Sequence, residues 1–254
     1  MKIFADLHTH TDFSHGKGTI EDNVKAAIAR DLKQVAITDH GISHWAYGLR
    51  RREVDEYLGE VDRLKEKYGD KIQILAGVEA NILGEDGAID VPDWLDKRLD
   101  VVLMGFHRAA RNRQLKNWMR FIILNGQVPF KGWKEKEIER NTRAFTKAVR
   151  NHRIDVITHP MYIARMHMGE VAAVCKEMGT LIEINNKHNE ISKEELMEAM
   201  AAGADFILSS DAHHPDNVGV VDTAAKRAED AGIGQERIFN TPGYAGSKRI
   251  GQRG

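Results

Sequence analysis

The regular alternation of short β-branched runs with longer amphipathic segments is the feature that most constrains this chain. The runs are almost continuously apolar, which is typical of parallel strands buried on both faces. They comprise residues 3–6, 34–38, 72–78, 101–104, 155–158, 181–184 and 206–209. Strands alternating with helices at roughly thirty residues per repeat predict an α/β protein, either a wound sheet or a (β/α) barrel.

Helix signals occupy the intervals between these runs. Thr19 is a predicted N-cap before an apolar face within residues 20–28. A second apolar stripe covers residues 54–64 and is followed by Gly69 in C-cap position. Ser192 opens a capping-box pattern before a third helix.

The interval from Arg108 to Arg150 breaks this rhythm. It is rich in Arg, Lys and Trp, without a low-complexity linker or a second core. We therefore predict one domain over residues 1–254, with 108–150 as an insertion or lid. Core packing, a lid and a dimer surface stay open for its aromatic residues, which include Trp118, Phe121, Phe130 and Trp133.

The composition excludes several classes of protein. The formal net charge is −1, which argues against nucleic acid and anionic membranes as partners. No stretch approaches the roughly 20 apolar residues of a membrane span, and the N-terminus reaches Asp6 too soon for a signal peptide. The single cysteine, Cys175, lies in an apolar helical stripe and is predicted to be buried. We expect a cytoplasmic protein, and the oligomeric state is left open.

Histidines and carboxylates concentrate at the ends of the predicted strands. The carboxyl ends of parallel strands meet on one face, where active sites lie. Unpaired polar atoms packed there would cost roughly 1–3 kcal/mol each, whereas a bound cation would satisfy them. Imidazole and carboxylate are ligands for Zn, Mn and Fe. The predicted ligands are His8, His10, His15, His40, Glu79, His107, His159, Asp211 and His213.

Other residues are predicted to support this site. Asp6 and Asp39 are candidate partners of ligand imidazoles, although Asp39 could equally cap a loop. His214 adjoins a predicted ligand and is expected beside it, whereas surface, structural or pocket-lining roles are predicted for His44, His152, His167 and His188. Arg108 and Lys187 follow strand ends and are candidates for binding a substrate phosphate.

Several of these segments resemble the motifs of the PHP (polymerase and histidinol phosphatase) family, in register from the first strand to about His214. They are His8-Thr9-His10, His15, Thr38-Asp39-His40, Gly77-Val78-Glu79, Gly105-Phe106-His107, Thr158-His159-Pro160 and Ser210-Asp211-Ala212-His213. Glu79-Ala80-Asn81-Ile82 and residues 181–186 look like the stand-alone bacterial phosphatase branch.

The resemblance implies a distorted (β/α)7 barrel with three divalent transition-metal ions, zinc first and manganese or iron next. One ion would be held by His8, His10, Glu79 and Asp211, a second by Glu79, His107 and His159, and a third by His15, His40 and His213. Glu79 and Asp211 would be the catalytic carboxylates.

Such a site predicts hydrolysis of a small phosphomonoester by metal-bound hydroxide. The alternative within this chemistry is a phosphodiesterase or exonuclease acting on nucleotides or single-stranded nucleic acid. A catalytically silent metal-binding protein and an amidohydrolase-type deacylase are further alternatives. The complete ligand set argues against the first, and Glu79 in the bridging position argues against the second.

Overall fold

The computed structural model describes residues 1–108, 110–111, 119, 121, 125 and 131–251. Across these residues seven parallel strands form one sheet whose order follows the sequence. The strands are β1 (Ala5–Asp6), β2 (Gln34–Ile37), β3 (Gln73–Asn81), β4 (Val101–Gly105), β5 (Val156–Ile157), β6 (Leu181–Asn185) and β7 (Phe206–Ser209). Glu79 therefore lies within β3, two residues before its end, rather than at the end itself.

Helices connect the strands and cover the outside of the sheet. They are α1 (Ile20–Ala29), α2 (Val54–Tyr68), α3 (Asp93–Asp96), α4 (Lys131–Asn151), α5 (Met168–Met178), α6 (Lys193–Ala201) and α7 (Asp222–Asp230). The predicted caps are confirmed, because Thr19 and Ser192 each form a complete capping box. Gly69 is the C-cap of α2, in right-handed helical conformation.

The sheet closes on itself between β7 and β1. His10 N donates to the carbonyl oxygen of Ala212 at 2.8 Å, and Ala212 N donates to that of His8 at 3.3 Å. We call this junction of β7 and β1 the seam. Further along it, the Asn240 side chain replaces missing backbone hydrogen bonds between the two strands. Its Nδ2 donates to the carbonyl oxygens of Ala5 and Leu208, both at 2.7 Å, and its Oδ1 accepts from Leu208 N at 3.1 Å. The predicted single-domain, distorted seven-stranded barrel is thereby confirmed.

The barrel interior changes from apolar to polar along each strand. Side chains two residues apart on a strand share a face, so Leu75 and Glu79 on β3 both point inward. Leu181 and Glu183 on β6 follow the same rule. The lower inward positions belong to a small apolar cluster that includes both leucines. The upper positions are left for polar side chains at the mouth.

The floor of the barrel is closed by the segment after Asn240. Ile250 is buried and joins the lower apolar cluster, and its carbonyl oxygen accepts a 3.4 Å hydrogen bond from Gln34 Nε2. Lys248 Nζ donates to Asp155 Oδ1 at 3.0 Å, and the Tyr244 hydroxyl donates to Asp205 Oδ2 at 2.9 Å. The polar mouth is therefore the open end of the barrel.

Part of the 108–150 interval is regular structure. Helix α4 forms its second half, and the buried ring of Phe121 packs edge-on against Phe106 at 5.7 Å. Trp133 is exposed, whereas Trp118 and Phe130 lie outside the described residues. The insertion or lid remains a prediction. No helix in the described parts of the chain is long and apolar enough to span a membrane.

We predict that Asn240→Ala destabilises the protein by about 3 kcal/mol, because it leaves buried backbone groups of β1 and β7 without partners. Chemical denaturation of both proteins would measure the difference. Asn217→Ala, which truncates an exposed asparagine, is the matched control and should change stability by less than about 0.5 kcal/mol. Equal stability of the Asn240 variant and the wild type would show that the side chain does not hold the seam.

Candidate metal centre

Eight of the nine predicted ligands lie in four overlapping groups at the mouth. Within each group one potential ligand atom per residue lies within 4.8 Å of the others. The groups are His8, His10 and Asp211; His8, Glu79 and His159; His40, Glu79 and His107; and His10, His40 and His213. His15 is exposed and outside these groups, but its ring centroid lies 4.2 Å from that of His213 and 4.9 Å from that of His40.

Glu79 is the centre of this arrangement, and its two oxygens face different histidines. Oε1 lies 2.7 Å from Nε2 of His159 and 3.4 Å from Nε2 of His107. Oε2 lies 2.9 Å from Nδ1 of His40 and 3.4 Å from Nε2 of His8. One carboxylate therefore contacts two separate pairs of histidines, one pair on each oxygen.

The donor atoms suit transition-metal cations. Among the described residues, Nδ1 of His10, Nδ1 of His40 and Oε2 of Glu79 are buried without a hydrogen-bond partner. The 2.9 Å approach of His40 to Glu79 lacks the alignment of a hydrogen bond. Buried imidazole and carboxylate atoms without protein partners are the donors that zinc, manganese and iron bind.

The electrostatics of the cluster also favour added positive charge. Burial acts to raise the pKa of Glu79, but the histidines around it, His107 first, hold that pKa well below its usual range. Burial acts to lower the pKa of His8, yet Glu183 and other carboxylates outweigh burial and raise that pKa well above its usual value. Burial lowers the pKa of His10 to about 3, which leaves a neutral imidazole. Either protons on the histidines or bound metal cations would therefore stabilise the buried carboxylates.

Glu183 is a site residue that the sequence analysis did not assign. It is fully buried, and Oε1 accepts from Nδ1 of His8 at 2.7 Å. Oε2 accepts from the backbone N of His159 at 2.5 Å and from Nδ2 of Asn185 at 2.9 Å. The bond to Nδ1 directs Nε2 of His8 toward the cluster. In the sequence, the signal for Glu183 is a single carboxylate within an otherwise apolar strand.

Asn81 orients His107 in the same manner. Its Oδ1 lies 2.8 Å from Nδ1 of the imidazole, and its Nδ2 donates to Oδ2 of Asp90 at 2.6 Å. Asp90 also accepts from the backbone N of Asn81 at 2.7 Å. Nε2 of His107 is thereby turned toward Glu79.

The predicted partners Asp6 and Asp39 bind backbone and hydroxyl groups instead of imidazoles. Asp6 accepts from Ser210 Oγ at 2.5 Å and from Gly219 N at 2.7 Å. Asp39 accepts from the backbone N of Thr11 at 2.7 Å and from its Oγ1 at 2.6 Å. The loop-capping alternative for Asp39 describes these contacts, and Asp6 ties the β7–β1 seam.

Three histidines outside the predicted ligands have distinct positions. His214 is about half exposed and caps a short helix by accepting from the backbone N of Asp216, and its predicted place beside the ligands remains a prediction. His44 stacks on His40 with ring centroids 5.0 Å apart. Nε2 of His188 lies 3.5 Å from Oδ2 of Asp211, so the structure brings His188 to the cluster.

One of the two predicted phosphate-binding cations, Lys187, lies at the rim of the mouth. Nζ of Lys187 is 3.3 Å from Nδ1 of His213. Oδ1 of Asn185 holds this loop by accepting from the backbone N of Lys187 and of His188, both at 2.8 Å. Arg108 is partly buried directly after His107.

Two site residues are among the non-glycine residues with a strained backbone. His159 and Asp211 have φ values of +26° and +52°, in the left-handed region that non-glycine residues avoid. Such conformations cost on the order of 1–3 kcal/mol and persist where their surroundings fix them, as Glu183 does for His159. Gly105 is required nearby, because a Cβ there would lie 2.5 Å from Thr158 Oγ1 and 3.0 Å from Glu79 Oε1.

The fold and site together define a parallel α/β-barrel enzyme with a histidine–carboxylate metal centre at its mouth. A model of the PHP domain matches residues 6–208. A protein of Thermoanaerobacter pseudethanolicus named "probable phosphatase" is 32% identical over 257 residues, covering 95% of this chain and 91% of the relative. Another so named, from Acetivibrio thermocellus, is 30% identical over 251 residues, covering 95% and 92% respectively. The chain belongs to the PHP domain family, as its motifs predicted, and to the phosphatases of that family.

A solved structure supports the fold. The histidinol phosphate phosphatase of Lactococcus lactis, crystallised with zinc, L-histidinol and phosphate, superposes with a TM-score of 0.64. It is 18% identical, and the superposition covers 92% of this chain and 95% of that one. The likeness extends over nearly the whole barrel.

We predict that Glu183→Gln lowers metal affinity by about 10- to 100-fold, because the Gln side chain keeps one acceptor oxygen and its amide nitrogen cannot accept the bonds that the second carboxylate oxygen receives. Titration of zinc into metal-depleted protein, with circular dichroism to verify folding, would measure this. Glu194→Gln, on the exposed face of α6, is the matched control. Unchanged zinc affinity in a folded Glu183 variant would contradict the orienting role.

Proposed function

We propose that this PHP phosphatase hydrolyses small phosphomonoesters at a site for three divalent cations. The observation that carries the proposal is the bridging position of Glu79, whose two oxygens face separate sets of histidines. Zinc is the first expectation and manganese or iron the next, since all three accept mixed nitrogen and oxygen donors. Such cations, when bound, lower the pKa of a water and neutralise the phosphate.

Residues at the rim would hold the substrate phosphate. Nζ of Lys187 lies 3.3 Å from Nδ1 of His213, and Arg108 directly follows His107 in the chain. Two cations on different loops would bind phosphate oxygens and fix the direction of attack.

Asp211 would handle the proton of the attacking water. Its Oδ1 faces Nε2 of His8 and of His10, at 3.7 and 3.4 Å, whereas Oδ2 faces Nε2 of His188 at 3.5 Å. The Oδ2 atom would accept the water proton and pass it to His188. As the water oxygen joins phosphorus, the ester P–O bond breaks. His188 would then give that proton to the departing alkoxide oxygen, so that the products are an alcohol and inorganic phosphate.

The proposal predicts turnover of small phosphomonoesters that a chelator abolishes and added zinc or manganese restores. Phosphate release from p-nitrophenyl phosphate and from glycerol 3-phosphate would measure it, with single-stranded DNA assayed beside them. Degradation of DNA without release of phosphate from either monoester would favour the exonuclease alternative and refute the proposal.

We further predict that the wild-type protein binds about three equivalents of transition metal and that Glu79→Gln binds fewer. Both Glu79→Gln and His159→Ala should lower kcat/KM by about a hundredfold or more, because each removes a contact at the centre of the cluster. Elemental analysis and steady-state kinetics would measure these effects. His167→Ala, a partly exposed histidine that pairs with Glu135, is the control and should keep full activity. Full activity in either site variant would refute the assignment.

A further inference from the structure

The segment of residues 159–167, here called the β5 loop, has a strained backbone beside the metal centre. It holds three of the five non-glycine residues with positive φ in the part of the chain that the structure describes. These are His159, Met161 and Ile163, with φ of +26°, +71° and +62°. Ile163 is β-branched, and such residues very rarely occupy the left-handed region. Because strain of this kind is found mainly at functional sites, the side chain between two of these residues, Tyr162, is a candidate for a role in the reaction.

Contacts on both sides fix the β5 loop. Met161 is buried in the apolar core. Nη1 of Arg165 donates to the carbonyl oxygen of Glu190 at 3.1 Å, and its Nη2 donates to Oε1 of Glu195 at 2.5 Å. The β5 loop is thereby tied to the loop after β6, which carries His188.

Tyr162 contacts two histidines at the mouth of the barrel. Its ring centroid lies 4.3 Å from that of His188 and 5.5 Å from that of His159. The centroids of His188 and His159 are 5.1 Å apart, so the three rings form one cluster. Since His159 is a predicted metal ligand, this ring cluster is continuous with the metal centre.

The His188 ring lies between two carboxylates. Its Nε2 is 3.5 Å from Oδ2 of Asp211, and its Nδ1 is 3.6 Å from Oε1 of Glu190. Both distances exceed those of a good hydrogen bond, so neither carboxylate fixes the ring by itself. The packing of Tyr162 against the imidazole supplies the restraint that these contacts lack.

We propose that Tyr162 is a positioning residue, which holds the His188 imidazole with its Nε2 toward Oδ2 of Asp211. The inference rests on the proposed phosphomonoesterase function, in which His188 receives a proton from Asp211 and gives it to the departing alkoxide oxygen. Without the tyrosine ring, the imidazole would rotate about its side-chain bonds and meet the leaving oxygen less often. The strained β5 loop would thus serve proton transfer to the leaving group, separately from metal binding.

Glycerol 3-phosphate and p-nitrophenyl phosphate distinguish this role from a structural one. The glycerol alkoxide needs a proton in order to leave, whereas p-nitrophenolate is a stable anion and leaves without one. We expect Tyr162→Ala to lower kcat/KM by about tenfold or more for glycerol 3-phosphate and by less than about twofold for p-nitrophenyl phosphate. Tyr162→Phe, which keeps the ring, should retain the wild-type values for both. Elemental analysis should find the same zinc content in all three proteins.

A double-mutant cycle tests whether Tyr162 acts through His188. His188→Ala should show the same selective loss for glycerol 3-phosphate, and adding Tyr162→Ala to it should cause no further loss. Tyr68→Ala removes a partly buried tyrosine at the end of α2 that precedes β3, away from the mouth, and should leave the ratio of the two substrates unchanged. Tyr162→Leu, which keeps bulk without a flat ring, replaces the alanine variant if circular dichroism shows that the latter is unfolded.

The outcomes separate the two proposals. Equal losses for both substrates in a folded Tyr162 variant, unchanged values, a matching loss in Tyr162→Phe or additive losses in the double variant would each show that the Tyr162 ring does not position His188, although the phosphatase function stands. If metal-replete wild-type protein hydrolyses neither substrate, the phosphatase proposal fails and this inference fails with it.

Discussion

The burial of three carboxylates, Glu79, Glu183 and Asp211, at one end of the barrel is the constraint on which the other features depend. A buried charge without partners costs several kcal/mol, so each carboxylate needs donors or cations around it. Histidines on the strand ends and backbone N–H groups supply part of that compensation, and bound metal ions would supply the rest. The apolar lower half of the barrel keeps this polar end in place, since every strand contributes to both.

Much of this arrangement could be predicted because it is local in the sequence. Parallel strands are runs of apolar residues. Histidines and carboxylates directly after such runs seldom have a role in packing, so they can be recognised as candidate ligands. The seam could not be predicted, because β1 has two residues and its closure depends on Asn240, far along the chain. Glu183 was missed because it lies inside a strand rather than after one, where its neighbours conceal it.

The partners of the imidazoles show a geometric limit of such reasoning. Adjacent residues of an extended chain point in opposite directions, so Asp39 turns away from the ring of His40 and binds Thr11 instead. The groups that do orient imidazoles come from other strands, with Glu183 contacting His8 and Asn81 contacting His107. Such pairs depend on strand order and register, which a single sequence does not display. The alternation of residues within a strand indicates only which side chains face inward.

The closed floor beneath the cluster has a kinetic consequence. Because Ile250 and the segment around it fill the lower end, substrate and products share the mouth as a common route. Under the proposed function, the phosphate would lie deepest, against the cluster, and the alcohol would lie nearer the open mouth. The alcohol would then dissociate first and inorganic phosphate last. An enzyme built in this way slows as its own phosphate accumulates, and its throughput depends on how quickly phosphate is removed from the surroundings.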